Sequence, residues 1–217
     1  MNAAELSSLL RFVASNMIAS EAQLTRLDMA VGDGDHGTGM QRGFTAVDKL
    51  LAQQDPGDDI GLLLTRVGSE LMSSMGGASG AIFGTLFRAG GKSLSGETVL
   101  TSALLARFLR DGLDAVCKRG GARPGDKTMV DALAAAVSVA QPLESAPLGD
   151  ALNKIAEAAN RGSEETRQMV AAFGRAKSLG ERAIGHPDPG AVSMALILRF
   201  MAQGCQSSRV DAQAKGE

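Results

Sequence analysis

Tryptophan and tyrosine are absent from the 217 residues, and seven phenylalanines bring the aromatic share to only 3%. The stacking surfaces with which proteins hold single-stranded bases are therefore nearly missing. An excess of one charge is missing too. Twenty-two Lys+Arg against 24 Asp+Glu leave a formal net charge of −2, which gives no general attraction to nucleic acid or an anionic membrane. Any phosphate-bearing ligand must be held by local groups. No apolar run approaches the roughly 18 residues of a membrane span. The opening Met1-Asn2-Ala3-Ala4-Glu5 lacks the basic flank and apolar core of a signal peptide. Neither nucleic acid nor membrane is expected as a partner, and the expected location is cytoplasmic. Cys117 and Cys205 stand alone without CxxC spacing, which argues against a disulfide framework or zinc site and for two small core residues.

What is present is 44% hydrophobic and 21% charged residues, enough for one sizeable core. Ala, Leu and Met recur at helical spacing, and no alternating run supports a strand. Two capping-box patterns, Asn2 to Glu5 and Ser20 to Gln23, open an N-terminal region with Leu6, Leu9, Leu10, Val13, Met17, Leu24 and Leu27 on one stripe. Further periodic segments cover about 37–52, 59–75, 79–92, 97–119, 127–140, 149–173 and 190–204. With the N-terminal region counted once, the expectation is an all-α, antiparallel, up-and-down bundle of eight helices. It forms one domain over residues 1–206, followed by a polar tail at 207–217.

The connections are of two kinds. Residues 53–58 and 141–149 are ordinary polar, Pro-bearing connectors, whereas 32–39, 76–80, 120–126 and 185–190 are dense in Gly, Asp, Ser and His. In an up-and-down array alternate loops fall at the same end. The four unusual loops alternate with the bland ones, so one end of the bundle should carry the chemistry.

The first of them, read with the residues before it from Leu27 to Gly39, carries Asp28, Asp33 and Asp35 within eight residues. Like charges crowded into a Gly-rich turn need a cation, and a hard divalent ion such as Mg²⁺ suits oxygen ligands while also binding phosphates. The structural alternative makes Asp33 and Asp35 turn and N-cap residues. Gly32, Gly34 and Gly37 match G-x-G-x-x-G, but a helix precedes them and two aspartates would repel a pyrophosphate. An EF-hand fails because Phe44 stands where the closing Glu belongs. Gly90-Gly91-Lys92-Ser93 fails as a P-loop because Leu86 occupies the first Gly position.

Met75-Gly76-Gly77-Ala78-Ser79-Gly80 precedes a helix, whose backbone N–H groups can cradle a phosphate; close helix packing is the alternative. Asp126 reads as an N-cap, and Met129 as either core or a surface for adenine. Asp188 and Pro189 read as an N-cap and first helical residue. Arg175 and Arg182, seven apart, share a face if their segment is helical, and either can then meet a polyphosphate.

Four ordered strings carry a resemblance. They are Gly32-Asp33-Gly34-Asp35-His36-Gly37, Gly76-Gly77-Ala78-Ser79-Gly80, Gly125-Asp126-Lys127-Thr128-Met129-Val130-Asp131-Ala132-Leu133, and Gly174-Arg175-Ala176-Lys177-Ser178-Leu179-Gly180-Glu181-Arg182 running on to Gly190. Together they resemble the nucleotide-binding L subunit of dihydroxyacetone kinases, from Leu27 to about Met194. The resemblance implies an eight-helix barrel that binds ATP or ADP at one end through a pair of Mg²⁺ ions. Asp28, Asp33 and Asp35 would hold the metal, and His36, Gly37, Thr38, Gly39, Ala78 and Ser79 would contact phosphates. Gly121, Met129, Arg175, Asp188, Pro189 and Gly190 would frame the nucleoside.

The resemblance further implies a kinase active only with a partner K subunit that carries a small ketose on a histidine. In some members a phosphotransferase carrier protein renews a bound ADP, and pairing of two copies stays open. No catalytic residue is assigned on this chain beyond the metal site. The ATP-binding domain of fatty-acid kinases is similar in motif but expects fused downstream domains. A non-catalytic nucleotide module and a helical adaptor are the readings from other classes.

Overall fold

A computed structural model describes residues 1–214, with side chains described through residue 206, so the tail expected at 207–217 lies outside the described side chains. Among the described residues the secondary structure is all helical. The α-helices are α1 (Ala3–Ala19), α2 (Glu21–Met29), α3 (His36–Gln53), α4 (Ile60–Ser74), α5 (Gly77–Ser93), α6 (Ser102–Gly120), α7 (Met129–Ala140), α8 (Leu148–Glu165) and α9 (Pro189–Ala214). Short 3-10 helices cover Gln141–Leu143, Thr166–Gln168 and Arg175–Ala183. An isolated bridge between Asn2 and Val99 is the nearest approach to sheet among these residues.

The local signals explain most boundaries. Asn2 accepts from the Glu5 N–H and Glu5 answers to the Asn2 N–H, so the first capping box is formed. The second is not. Ser20 makes no side-chain cap to α2; it keeps helical angles, and its hydroxyl donates to the Asn16 carbonyl at 2.8 Å. The N-terminal region is thus two helices broken at Ser20. The segment expected from 97 begins only at Ser102, where Thr101 caps Leu104, because residues 99–100 instead pair with the chain start through Leu100 N–H to Met1 O at 2.7 Å. The segment expected to reach 173 ends as α-helix at Glu165.

Leu6, Leu9, Leu10, Val13, Met17 and Leu24 are all buried, as their spacing requires, in a core shared with every other α-helix. Each such side chain contributes about 1.5–3 kcal/mol when fully withdrawn from water. Successive helices α3 through α9 pack against one another in chain order, and α1 packs on both α3 and α9. The α4–α5 pair is the most extensive seam. A Cβ placed on Gly68 would stand 2.5 Å from Arg88 N and 2.8 Å from the Gly84 carbonyl oxygen, so these backbones touch directly. That seam leads into the turn at Gly76, whose φ of 74° is a left-handed value that glycine adopts without Cβ strain. Cys205 is buried and Cys117 half-buried, as expected of small packing residues.

Candidate functional site

One cavity of about 650 Å³ gathers residues from all four unusual loops. Asp28 comes from the end of α2, Asp33 and Asp35 from the turn that follows, Gly76 to Ser79 from the start of α5, and Asp188 to Gly190 from the start of α9. Ligand oxygens of Asp28, Asp33 and Asp35 all lie within 4.8 Å of one another. Asp28 is buried and accepts the His36 N–H at 3.1 Å, which pins the carboxylate cluster to the first turn of α3. Asp35 precedes α3 but makes no side-chain cap to it, so the N-cap alternative does not account for its carboxylate. The three side chains form a compact set of hard oxygen donors that fits a divalent cation such as Mg²⁺.

Across the cavity, α5 begins without a side-chain cap. Its first N–H groups, at Gly77, Ala78 and Ser79, have no carbonyl partner within the helix, and the helix dipole adds positive potential there. Carboxylates on one wall and helix N–H donors on the other make an arrangement for an anion bridged by a cation. His36 joins the two walls. Its ring nitrogens lie 3.2 Å from Ser79 Oγ and 2.7 Å from Ser193 Oγ. Burial holds the imidazole below its ordinary pKa, against the opposing pull of Asp28 and Asp35. The neutral ring therefore donates to one serine and accepts from the other.

The structure also places side chains whose role the sequence did not reveal. Arg42 on α3 donates from Nε to the Ser74 carbonyl at 2.8 Å and from Nη2 to the Met75 carbonyl. It thereby closes the end of α4 and holds the turn at Gly76 against α3. Lys127 lines the cavity although it is 1% exposed. Arg42 sits on an ordinary helical face and Lys127 within a Gly-rich loop, so neither the cross-helix bonds of the first nor the burial of the second carried a local signal.

Most of the residues singled out line the cavity: Asp28, Asp33, Asp35, His36, Gly39, Ala78, Ser79, Met129, Arg175, Asp188, Pro189 and Gly190. Gly37, Thr38 and Gly121 are not among the lining residues. Gly37 is pressed against Glu21 and Thr25 of α2, and the Thr38 hydroxyl donates to the Asp35 carbonyl at 2.9 Å. The Asp126 N-cap is corrected by the structure. Thr128 caps α7 in a reciprocal box with Asp131, while the Asp126 carboxylate accepts the Arg123 N–H at 2.7 Å. The same-face argument for Arg175 and Arg182 also fails, because Arg175–Ala183 is 3-10 and Gly180 breaks it at φ 55°. Arg175 instead reaches Asp33, Nε to Oδ2 at 3.0 Å.

Asp188 does serve as N-cap, accepting the Ala191 N–H at 2.7 Å ahead of Pro189. Burial pushes its carboxyl up to about 7, opposed by the N–H groups of Ala191 and Gly190 and by the Lys127 ammonium. Because the folded value lies above the ordinary one, this group's contribution to stability is full below its unfolded pKa near 4 and is lost as pH rises through about 7. Asn retains the cap without the charge. The melting temperature of the wild type should therefore fall relative to Asp188→Asn between pH 4.5 and 8. Scanning calorimetry on the ligand-free proteins would show this, and a pH-independent difference would refute the assignment.

Residues 30–203 match the family model described as the DAK2 domain. The chain belongs to the DAK2-domain family. A relative named "PEP-dependent dihydroxyacetone kinase, ADP-binding subunit DhaL", from Escherichia coli, is 45% identical over 185 residues, which are 82% of this chain and 86% of that protein. A human protein named "Triokinase/FMN cyclase" is 36% identical over 204 residues, 93% of this chain but 35% of the longer protein. Among solved structures, the dihydroxyacetone kinase from C. freundii in complex with AMP-PNP and Mg²⁺ superposes with a TM-score of 0.72 at 30% identity. That match covers 91% of this chain and 33% of the other. This DAK2 domain is thus DhaL-like along most of its length, and Asp33, Asp35, the Gly76 turn and the start of α9 fall inside residues 30–203, with Asp28 just before them. No helix among its described residues is long and apolar enough to cross a membrane.

Proposed function

We propose that this chain is the nucleotide-binding subunit of a dihydroxyacetone-type kinase. It would bind ADP or ATP with a pair of Mg²⁺ ions in one domain built as a closed eight-helix barrel. The observation that carries the reading is the pairing, across one cavity, of the Asp28–Asp33–Asp35 cluster with the uncapped N-terminus of α5. Bound Mg²⁺ supplies neutralisation of the polyphosphate charge. The three aspartates hold the cation, and the N–H groups from Gly77 to Ser79 orient phosphate oxygens. Arg42 and His36 keep the two walls in register. Ile82, Phe83, Val116 and Met129 give the cavity an apolar floor suited to a nucleoside.

Phosphoryl transfer by such a site rests on positioning and charge neutralisation. The acceptor, a triose or tetrose ketose, would be held on a separate K subunit. His36 is unsuited to carry it, being buried between two serines. Met29, Val170 and Ile184, exposed on segments bordering the cleft, and Phe173 on its rim offer apolar area for that partner. The PEP-dependent relative favours the form that keeps ADP bound and receives phosphate from a phosphotransferase carrier protein.

Isothermal calorimetry with ADP, in Mg²⁺ and in excess chelator, is the first test. Affinity should fall at least ~100-fold without metal, since a carboxylate cluster repels an unneutralised polyphosphate. Equal affinity in both would overturn the metal-bridged reading. Transfer to dihydroxyacetone above background only when a K subunit is added would support the kinase; tight Mg·ADP binding without transfer would reduce it to a nucleotide-binding module.

A further inference from the structure

We infer that Lys127 is a positioning residue for the nucleoside end of the cleft, its ammonium clamping the 185–190 loop to the end of α8. The inference rests on the nucleotide reading above, and begins from an anomaly. Lys127 is the only buried lysine or arginine among the described residues, and also the only non-glycine there with positive φ, at 58°. A long charged side chain is thus both withdrawn from water and carried on an unfavourable backbone, a combination that persists only where surrounding contacts enforce it.

Those contacts are specific. Nζ donates to the Thr166 carbonyl at 2.5 Å, just beyond α8, and to the His186 carbonyl at 2.6 Å. Thr166 is itself fixed: its hydroxyl donates to the Ser163 carbonyl at 2.6 Å and accepts the Asp188 N–H at 2.8 Å. Asp188 then caps α9 through the Ala191 N–H. Burial lowers the Lys127 ammonium below its ordinary pKa, while Asp188 and Asp131 favour its charged form. One ammonium therefore ties the end of α8, the 185–190 loop and the start of α9 into a single unit. An apolar residue would fill the same space without the desolvation cost, but it could not hold two carbonyl groups at fixed places.

The phosphate end of the cavity is built by other elements, the acidic turn, α3 and the start of α5. Loss of the clamp should consequently separate the two halves of the ligand. Lys127→Met keeps side-chain length without charge, and Lys127→Gly also removes the left-handed strain, so at least one variant should fold. The affinity for Mg·ADP should fall by ~10-fold or more, the scale of one buried hydrogen-bond contact. Affinity for Mg·pyrophosphate should stay within ~2-fold of wild type. Hydrogen exchange of the ligand-free protein should quicken at residues 185–191 and not at residues 36–44 or 77–84.

An equal loss for both ligands, or exchange quickening throughout the molecule, would show a merely structural residue and overturn the inference. So would unchanged ADP affinity together with unchanged exchange. If the wild type itself fails to bind Mg·ADP, the nucleotide reading falls, whereas the exchange pattern still decides whether the clamp exists.

Discussion

Asp33→Asn should reduce Mg²⁺-dependent ADP binding and phosphoryl transfer by about 100-fold or more, a scale that even outer-shell changes reach in metal sites, while leaving the fold intact. Asp33 is one of the two exposed members of the three-carboxylate cluster, and its one described side-chain partner is Arg175. The Arg175 side chain is 76% exposed, and a pair so open to solvent contributes only about 0–1 kcal/mol. Relief of repulsion with Asp28 and Asp35 offsets that loss, so the ligand-free melting temperature should shift by no more than about 4 °C. With metal the balance changes, because a neutral amide is a poor ligand for a hard dication. Asp33 as a simple turn residue predicts the opposite, since Asn serves turns nearly as well. Thermal melts with chelator and with Mg²⁺·ADP, beside a transfer assay with K subunit, separate the two. Wild-type ligand stabilisation in Asp33→Asn would remove Asp33 from the metal site.

Gly68→Ala should destabilise the protein by about 1–3 kcal/mol, even though Ala is favoured over Gly in an open helix by about 1 kcal/mol. The sign inverts because the new Cβ would meet backbone, Arg88 N at 2.5 Å and Gly84 O at 2.8 Å, and no side chain can rotate away. The helices α4 and α5 must separate, and α5 carries the N–H groups facing the acidic turn. A drop in melting temperature of several degrees should accordingly be joined by weaker Mg·ADP binding. Ser69→Ala, one residue on and exposed, should change neither. A neutral or stabilising Gly68→Ala would mean that the seam is looser than its geometry.

Helical class and the carboxylate cluster were legible because each is a local pattern: apolar spacing reports a buried face, and three carboxylates in eight residues report a set of hard oxygen donors, whereas the eight expected helices became nine α-helices among the described residues through the break at Ser20. Alternation of bland and unusual loops even indicated that the unusual ones share an end, since antiparallel helices return every second connection to the same side. The Asp188–Pro189 start of α9 was equally local. Competition between nearby groups was not. Thr128 rather than Asp126 caps α7 because the Asp126 carboxylate is already used by the Arg123 N–H, and Ser20 turns back to Asn16 instead of forward to α2.

The amino-acid order by itself determined most helical segments, the core stripes and which loops share an end, because those follow from neighbours along the chain and from the alternation of connections. Only the tertiary structure decided how the loops meet. Arg42 closing the end of α4, Arg175 reaching Asp33 across the cleft, His36 bridging Ser79 and Ser193, and Lys127 joining α8 to the 185–190 loop span 32 to 157 positions in sequence. Such contacts depend on where packed helices bring distant groups within hydrogen-bond range. The α4–α5 seam has the same origin: a glycine in a helix reads as weak propensity until a second backbone is found against it.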